Sequence, residues 1–166
     1  MRVVDLTMPV EVEQDGHETA RLDEWGLECD HKPYTGMVYH FHHNSMVGTY
    51  IDFPGHIKET DDGTHADNYP IEKLFRVDAT VIHLNRASGS GGITADEIAA
   101  ACPQPVSGGA LILNALGTLR ADQMEPRTVF LFKDAVRWII ETKIHLIVSD
   151  VYESRGAGEG VFPLLF

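Results

Sequence analysis

The sequence predicts an α/β fold, a mixed β-sheet with helices packed on it. Three observations carry that prediction. From Val77 onward, short apolar or β-branched runs alternate with segments of helical periodicity. Before Val77 the chain reads as strand and loop. The composition, 43% apolar and 23% charged, is ordinary for a globular chain, and 166 residues fit one domain, 1–166, with a sizeable core. No repeat, linker or low-complexity tract interrupts it.

Taken in order, Arg2 to Leu6 is a β-branched run that Pro9 ends. Residues 10–36 are rich in Asp, Glu and Gly and read as a long loop, with one helical turn around Leu22 to Leu27. A loop of that length is usually functional or a partner-binding arm. Met37 to Tyr50 reads as extended: Met37, Tyr39 and Phe41 alternate with Val38, His40 and His42 until Pro54-Gly55 breaks the segment. Asp61-Asp62-Gly63 marks a loop. Val77 to Leu84 is a strand, and Ser88 to Gly92 a flexible turn. Thr94 to Ala101 opens a helix, with Thr94 three residues before Glu97 as in a capping box. Leu111 to Asn114 is a strand. Lys133 to Lys143 is a helix with Val136, Ile139 and Ile140 on one face. Ile144 to Val148 is a buried strand leading to Asp150. The terminal VFPLLF fits a final strand, or simply the point where the ordered chain ends. Trp25 and Trp138 read as packing residues.

Charge excludes two classes of partner. Asp and Glu outnumber Lys and Arg 25 to 13, giving a net charge of −12. Binding nucleic acid needs cations to displace counterions, and an anionic membrane surface needs them too. A small-molecule partner remains. Cys29 and Cys102 stand far apart and read as free thiols in a reducing cytoplasm. No signal peptide and no run of membrane-spanning length is expected.

The densest chemistry lies in SMVGTYIDFPGH, Ser45 to His56. Of nine histidines, four fall between His40 and His56. Gly48 permits a strained or closely approached backbone. Asp52 and His56 are four apart, but Pro54 rules out a regular helix between them, so they meet only across a bend. A carboxylate and an imidazole on one bend can ligate a metal, form a general-base pair or make a structural hydrogen bond. Spacing alone leaves these open.

The same stretch resembles the signature of the cyclase-like metal-dependent hydrolases, which include the bacterial kynurenine formamidases and isatin hydrolases. That signature runs His-x-Gly-Thr-His-x-Asp-x-Pro-x-His. Laid on Met46 to His56, it is matched by Gly48, Thr49, Asp52, Pro54 and His56. DLTMP (Asp5 to Pro9), DDGTH followed by YPIEKLF, GGITADEI, and IHLIVSDVYES with Asp150 and Ser154 resemble further family segments in the same order. The resemblance implies a swivelling β/β/α-type domain. It also implies hydrolysis of a small amide, formamide or cyclic amide, and a homo-dimer or homo-tetramer.

Departures bear on the metal. The family's first two signature histidines are here Met46 and Tyr50. In zinc- and manganese-binding members, those positions ligate the ion together with the Asp and the last His. A Met thioether and a neutral Tyr are poor ligands for a hard divalent ion. Asp52 and His56 remain, fewer than the three protein ligands a catalytic zinc site needs. Parity along an unbroken strand places His42 with Met46, Tyr50 and Asp52, as a replacement ligand or a packed sheet histidine. His65 is a further candidate or a solvated loop residue. Members of the family usually continue into a late His and a Glu or Gln, and no counterpart is placed within 1–166.

Without metal, His56 can activate water as general base, Asp52 can fix its tautomer, and the Tyr50 phenol can donate to a carbonyl oxygen. Otherwise Tyr50 is an amphipathic core residue. Met46, Tyr50, Asp150 and Ser154 are the implied substrate-binding positions. Ser154 lies in no nucleophile elbow. Arg155 can pair a substrate carboxylate or make a surface salt bridge, and GSGGI lacks the Lys of a phosphate loop. Two functions follow: a metal-dependent amide hydrolase, or a family member that has lost the metal and binds a small ligand or a partner.

Overall fold

The computed structural model describes residues 5–10, 13–14, 17–86, 90–102, 104–120, 123, 125 and 127–165. The chain forms two compact units, Met1–Asp52 and Phe53–Phe166.

In the first unit, β1 (Glu13–Gln14) and β2 (His17–Glu18) make a short antiparallel pair. The unit's main feature is a hairpin of β3 (Ala20–Cys29) and β4 (Lys32–Phe41), paired from Ala20↔Phe41 to Cys29↔Lys32. The chain reverses at Asp30 and His31, with φ of 50° and 61°. Two successive left-handed residues form the primed turn whose twist suits long antiparallel strands.

This hairpin corrects the expected loop over 10–36 and its helical turn at Leu22 to Leu27. Leu22 and Trp25, three apart, fit a helix face, while Trp25 and Leu27, two apart, fit a strand face, and only the pairing with β4 decides between them. Direct partners share a face, so Leu22, Met37, Tyr39 and Phe41 lie on one side and Trp25, Leu27 and Tyr34 on the other. Trp25, expected to pack, is 53% exposed. Of the expected strand Arg2 to Leu6, residues 2–4 lie outside the described residues, and Asp5 and Leu6 have no regular structure.

The second unit is α/β. Its elements are β5 (Ala79–His83), β6 (Gly91–Ile93), α1 (Ala95–Ala101), β7 (Ala110–Asn114), β8 (Val129–Leu131), α2 (Lys133–Glu141), β9 (Leu146–Ser149) and α3 (Phe162–Leu165). Strands β5, β7 and β9 form a parallel sheet in that order, and β6 pairs in parallel with β8. A further bridge from Phe130 to Tyr152 ties the segment after β9 to β8.

Ile82, Leu111 and Leu113 from the larger sheet pack with Ile93 and Leu131, with Ile98 of α1, and with Val136 and Ile139 of α2. All are 3% exposed or less. Each such burial stabilises by about 1.5–3 kcal/mol.

Local chemistry fixes the ends of these elements. The Thr94 hydroxyl accepts the Glu97 N–H at 3.2 Å, as the capping spacing predicts. The Ala95 N–H donates to Asp134 Oδ2 at 3.0 Å, coupling α1 to α2. Asp78 O accepts the N–H groups of Gly109 and Ala110 at 3.0 and 3.2 Å. Gly108, at φ 91°, passes so close that a Cβ there would overlap that carbonyl.

Several expectations need correction. Gly91 and Gly92 belong to β6 rather than a flexible turn, and 87–89 lie outside the described residues. A Cβ on Gly92 would sit 2.6 Å from the Phe132 ring, so the glycine seats an aromatic. Ile140 is 42% exposed, because helical rotation carries it off the face that Val136 and Ile139 bury. Strand β9 lies at the sheet edge and is only partly buried. The three residues of β8 gave no separate sequence signal. Of the terminal apolar run, Phe162–Leu165 form a helical turn, not a strand. Among the described residues, no helix is long and apolar enough to cross a membrane.

Candidate functional site

The site-bearing residues of the first unit follow β4. The strand ends at Phe41, and 42–52 has no regular structure. The parity that grouped His42 with Met46, Tyr50 and Asp52 needs an unbroken strand, so it does not extend past Phe41. His42 N–H donates to Thr19 O at 2.8 Å, and its side chain is exposed. On the hairpin itself, His40 Nε2 lies 2.9 Å from Asp23 Oδ2, out of line for a hydrogen bond, so the contact is ionic when the ring is charged.

The opening DLTMP segment meets the signature here. Thr49 Oγ1 accepts the Met8 N–H at 2.8 Å. Gly48 has φ 63°, and a Cβ on it would meet Val10 at 3.1 Å and Met8 O at 3.3 Å. Both residues therefore hold the backbone together. Asp5 Oδ1 accepts the Thr7 hydroxyl at 2.7 Å and the Thr7 N–H at 2.9 Å. These two bonds, the hydroxyl's first, hold the Asp5 carboxyl below its ordinary pKa. Met46, Tyr50 and Asp52 are exposed.

In the second unit, Pro54–His56 form a single 3-10 turn. The Gly55 N–H donates to Thr64 O at 3.3 Å, and a Cβ on Gly55 would fall within the His65 ring. Glycine thus lets the DDGTH loop lie against the turn that carries His56. Two Asx turns shape that loop, Asp61 Oδ1 accepting the Gly63 N–H and Asp62 Oδ1 the Thr64 N–H, each at 2.8 Å. Hydrogen bonding from the Thr64 side chain, then its backbone, lowers the Asp62 pKa. His65 Nε2 stands 3.6 Å from Asp61 Oδ1, so the ring is engaged within the loop.

Asp150 lies at the carboxyl end of the parallel sheet. Its Oδ1 accepts the Ala115 N–H at 2.8 Å, and its Oδ2 accepts the Leu116 N–H at 2.9 Å and Asn114 Nδ2 at 3.0 Å. The carboxylate thus closes the turn after β7. Ser154 is fully buried, with Oγ 3.3 Å from Gly156 O and 3.4 Å from Glu153 Oε1. Arg127 donates to Ser154 O at 2.5 Å and lies 4.4 Å from the Tyr152 ring centroid. The Arg155 N–H donates to Glu159 Oε2 at 3.2 Å. Sequence reading missed Asn114, although an amide side chain ending a strand and followed by Gly117 is a turn signal.

Among the described residues, no three His, Cys, Asp or Glu side chains stand together as a metal site requires. At the two positions where the signature that this stretch resembles carries histidines, the chain has Met46 and Tyr50. Two cavities of ≈ 490 and ≈ 290 Å³ open on the second unit, the first beside Cys102 and Trp138, the second beside Lys73 and His145. Neither is lined by a signature residue.

A parallel sheet with helices, preceded by a unit ending in Gly-Thr-x-x-Asp, defines an α/β protein with a signature-bearing segment. Residues 4–154 match the model of the family described as "Putative cyclase". The chain belongs to this cyclase family. No curated protein and no solved structure gives a match.

Proposed function

We propose that this chain hydrolyses a small amide, formamide or cyclic amide. The family match over 4–154, which includes Asp52, Pro54 and His56 at their signature positions, carries the reading. His56 acts as the base toward water, Asp52 fixes its tautomer, and Tyr50 donates to the carbonyl oxygen. These roles assign no step to a metal. Hydrolysis of N-formylanilides tests this. His56→Gln and Asp52→Asn should each lower kcat/KM by about 100-fold or more. Turnover untouched by either variant overturns the assignment.

A second reading, a metal-free member that binds a small ligand or a partner without turnover, is favoured by Met46 and Tyr50 at two ligand positions. Metal analysis of the purified chain, alongside the same assay, separates the two. Formyl-anilide turnover, with or without bound metal, argues for the hydrolase; metal-free protein without formyl-anilide turnover argues for the binder.

The protein acts as a homo-oligomer through its hairpin. Seven large apolar side chains there are exposed, from Leu27 at 41% to Phe41 at 69%, and an isolated two-stranded hairpin is marginal in water. Sedimentation should show a dimer or tetramer that Tyr39→Lys with Phe41→Lys dissociates; a wild-type monomer contradicts this. Two free thiols, Cys29 exposed and Cys102 half-buried, suit a reducing cytoplasm.

A further inference from the structure

We propose that His83 is a second ligand-binding centre, an imidazole locked in one tautomer with Nε2 offered to a small molecule bearing an amide N–H or a hydroxyl. His83 ends β5, is exposed, and pairs in register with Asn114, which ends β7. Its Nδ1 lies 2.9 Å from Asn114 Oδ1.

The tautomer follows from the second partner of Asn114. Asn114 Nδ2 sits 3.0 Å from Asp150 Oδ2 and 3.0 Å from Gly117 O. A carbonyl oxygen only accepts, and so does an ionised carboxylate, so Nδ2 must be the amide's donating end. Oδ1 then faces His83 as an acceptor, and His83 Nδ1 must carry a hydrogen. In the neutral ring, the lone pair is left on Nε2.

Asp150 in turn cannot swing away, because the backbone N–H groups of Ala115 and Leu116 hold it. Asp150, Asn114 and His83 therefore form a continuous chain of hydrogen bonds, from a fixed carboxylate to an exposed ring. Such an outer carbonyl partner is how proteins fix an imidazole for acceptance at its other nitrogen. The position is favourable as well, since open parallel sheets bind ligands at the carboxyl ends of their strands. This centre does not depend on Asp52 or His56, and its test needs no turnover.

The test uses the full chain carrying ¹⁵N in its histidine rings. Long-range ¹H–¹⁵N spectra above pH 8 should show His83 protonated at Nδ1. Asn114→Leu should return it to the Nε2–H form that free histidine prefers. Phenol, an O–H donor probe that the proposed hydrolysis does not consume, should shift the wild-type His83 Nε2 resonance, and Asn114→Leu should remove that shift. An Nε2–H ring in the wild type overturns the proposal without any variant. So does a His83 Nε2 resonance that phenol leaves still at the highest concentration at which the chain stays folded.

Discussion

Replacing Asp150 by Asn keeps its shape and removes its charge, so it isolates what the carboxylate does for the turn after β7. Two oxygens accept three donors, from Ala115 N, Leu116 N and Asn114 Nδ2. An amide offers one acceptor and points hydrogens at the other side. In its better orientation, the Ala115 N–H loses its acceptor. Ala115 is 0% exposed, so no water replaces the bond. A lost charge-assisted hydrogen bond costs about 1.5–3 kcal/mol, and the two surviving bonds weaken from charged to neutral. The total is about 3 kcal/mol. Asp150→Ala, which strands all three donors, should cost about 5 kcal/mol on the same basis. Urea unfolding of the full chain reads this as a lower midpoint at constant slope. Thermal scans should show a fall of roughly 10 °C for Asp150→Asn. Glu72→Gln, on the exposed surface, serves as the reference and should stay within about 0.5 kcal/mol of wild type. If Asp150→Asn matches that reference, the carboxylate does not hold the turn, and Asp150 returns to the role of substrate ligand.

Gly108→Ala should destabilise by roughly 2–4 kcal/mol, because it combines a left-handed backbone with overlap on Asp78; unchanged urea unfolding would contradict the geometry. Gly55→Ala should displace the His65 ring while leaving global unfolding less affected than Gly108→Ala, read as a ¹⁵N shift confined to the His65 neighbourhood. For Asp62, the folded carboxyl titrates below the ordinary 3.8, so its contribution is present above that pH and is lost as pH falls through the folded value. The stability gap between wild type and Asp62→Asn should therefore hold from neutral pH to about 4 and close below it; a gap that widens in acid would reverse the sign.

The second unit was largely legible in the sequence because its signals are local. Thr94 with Glu97, the helical spacing of Val136 and Ile139, and the β-branched run of β5 each depend on residues a few positions apart. The hairpin was not legible, since its evidence lies in register between segments and its Asp30-His31 reversal lacks the Asn-Gly signal. Met46 to His56 showed the site's family character, because that likeness rests on residue identity. Asp150 was read as a ligand position, yet its partners are two backbone N–H groups and the Asn114 amide, 34 to 36 residues away, which residue identity at Asp150 alone does not disclose. His83 carried no motif and became visible only through Asn114.

The Asp30-His31 reversal has a practical consequence. Two non-glycine residues in left-handed conformation each forfeit about 1 kcal/mol that Asn-Gly would largely recover. Installing Asn-Gly there would stiffen the whole arm without altering one of its aromatic side chains, separating how firmly the arm is held from what it touches.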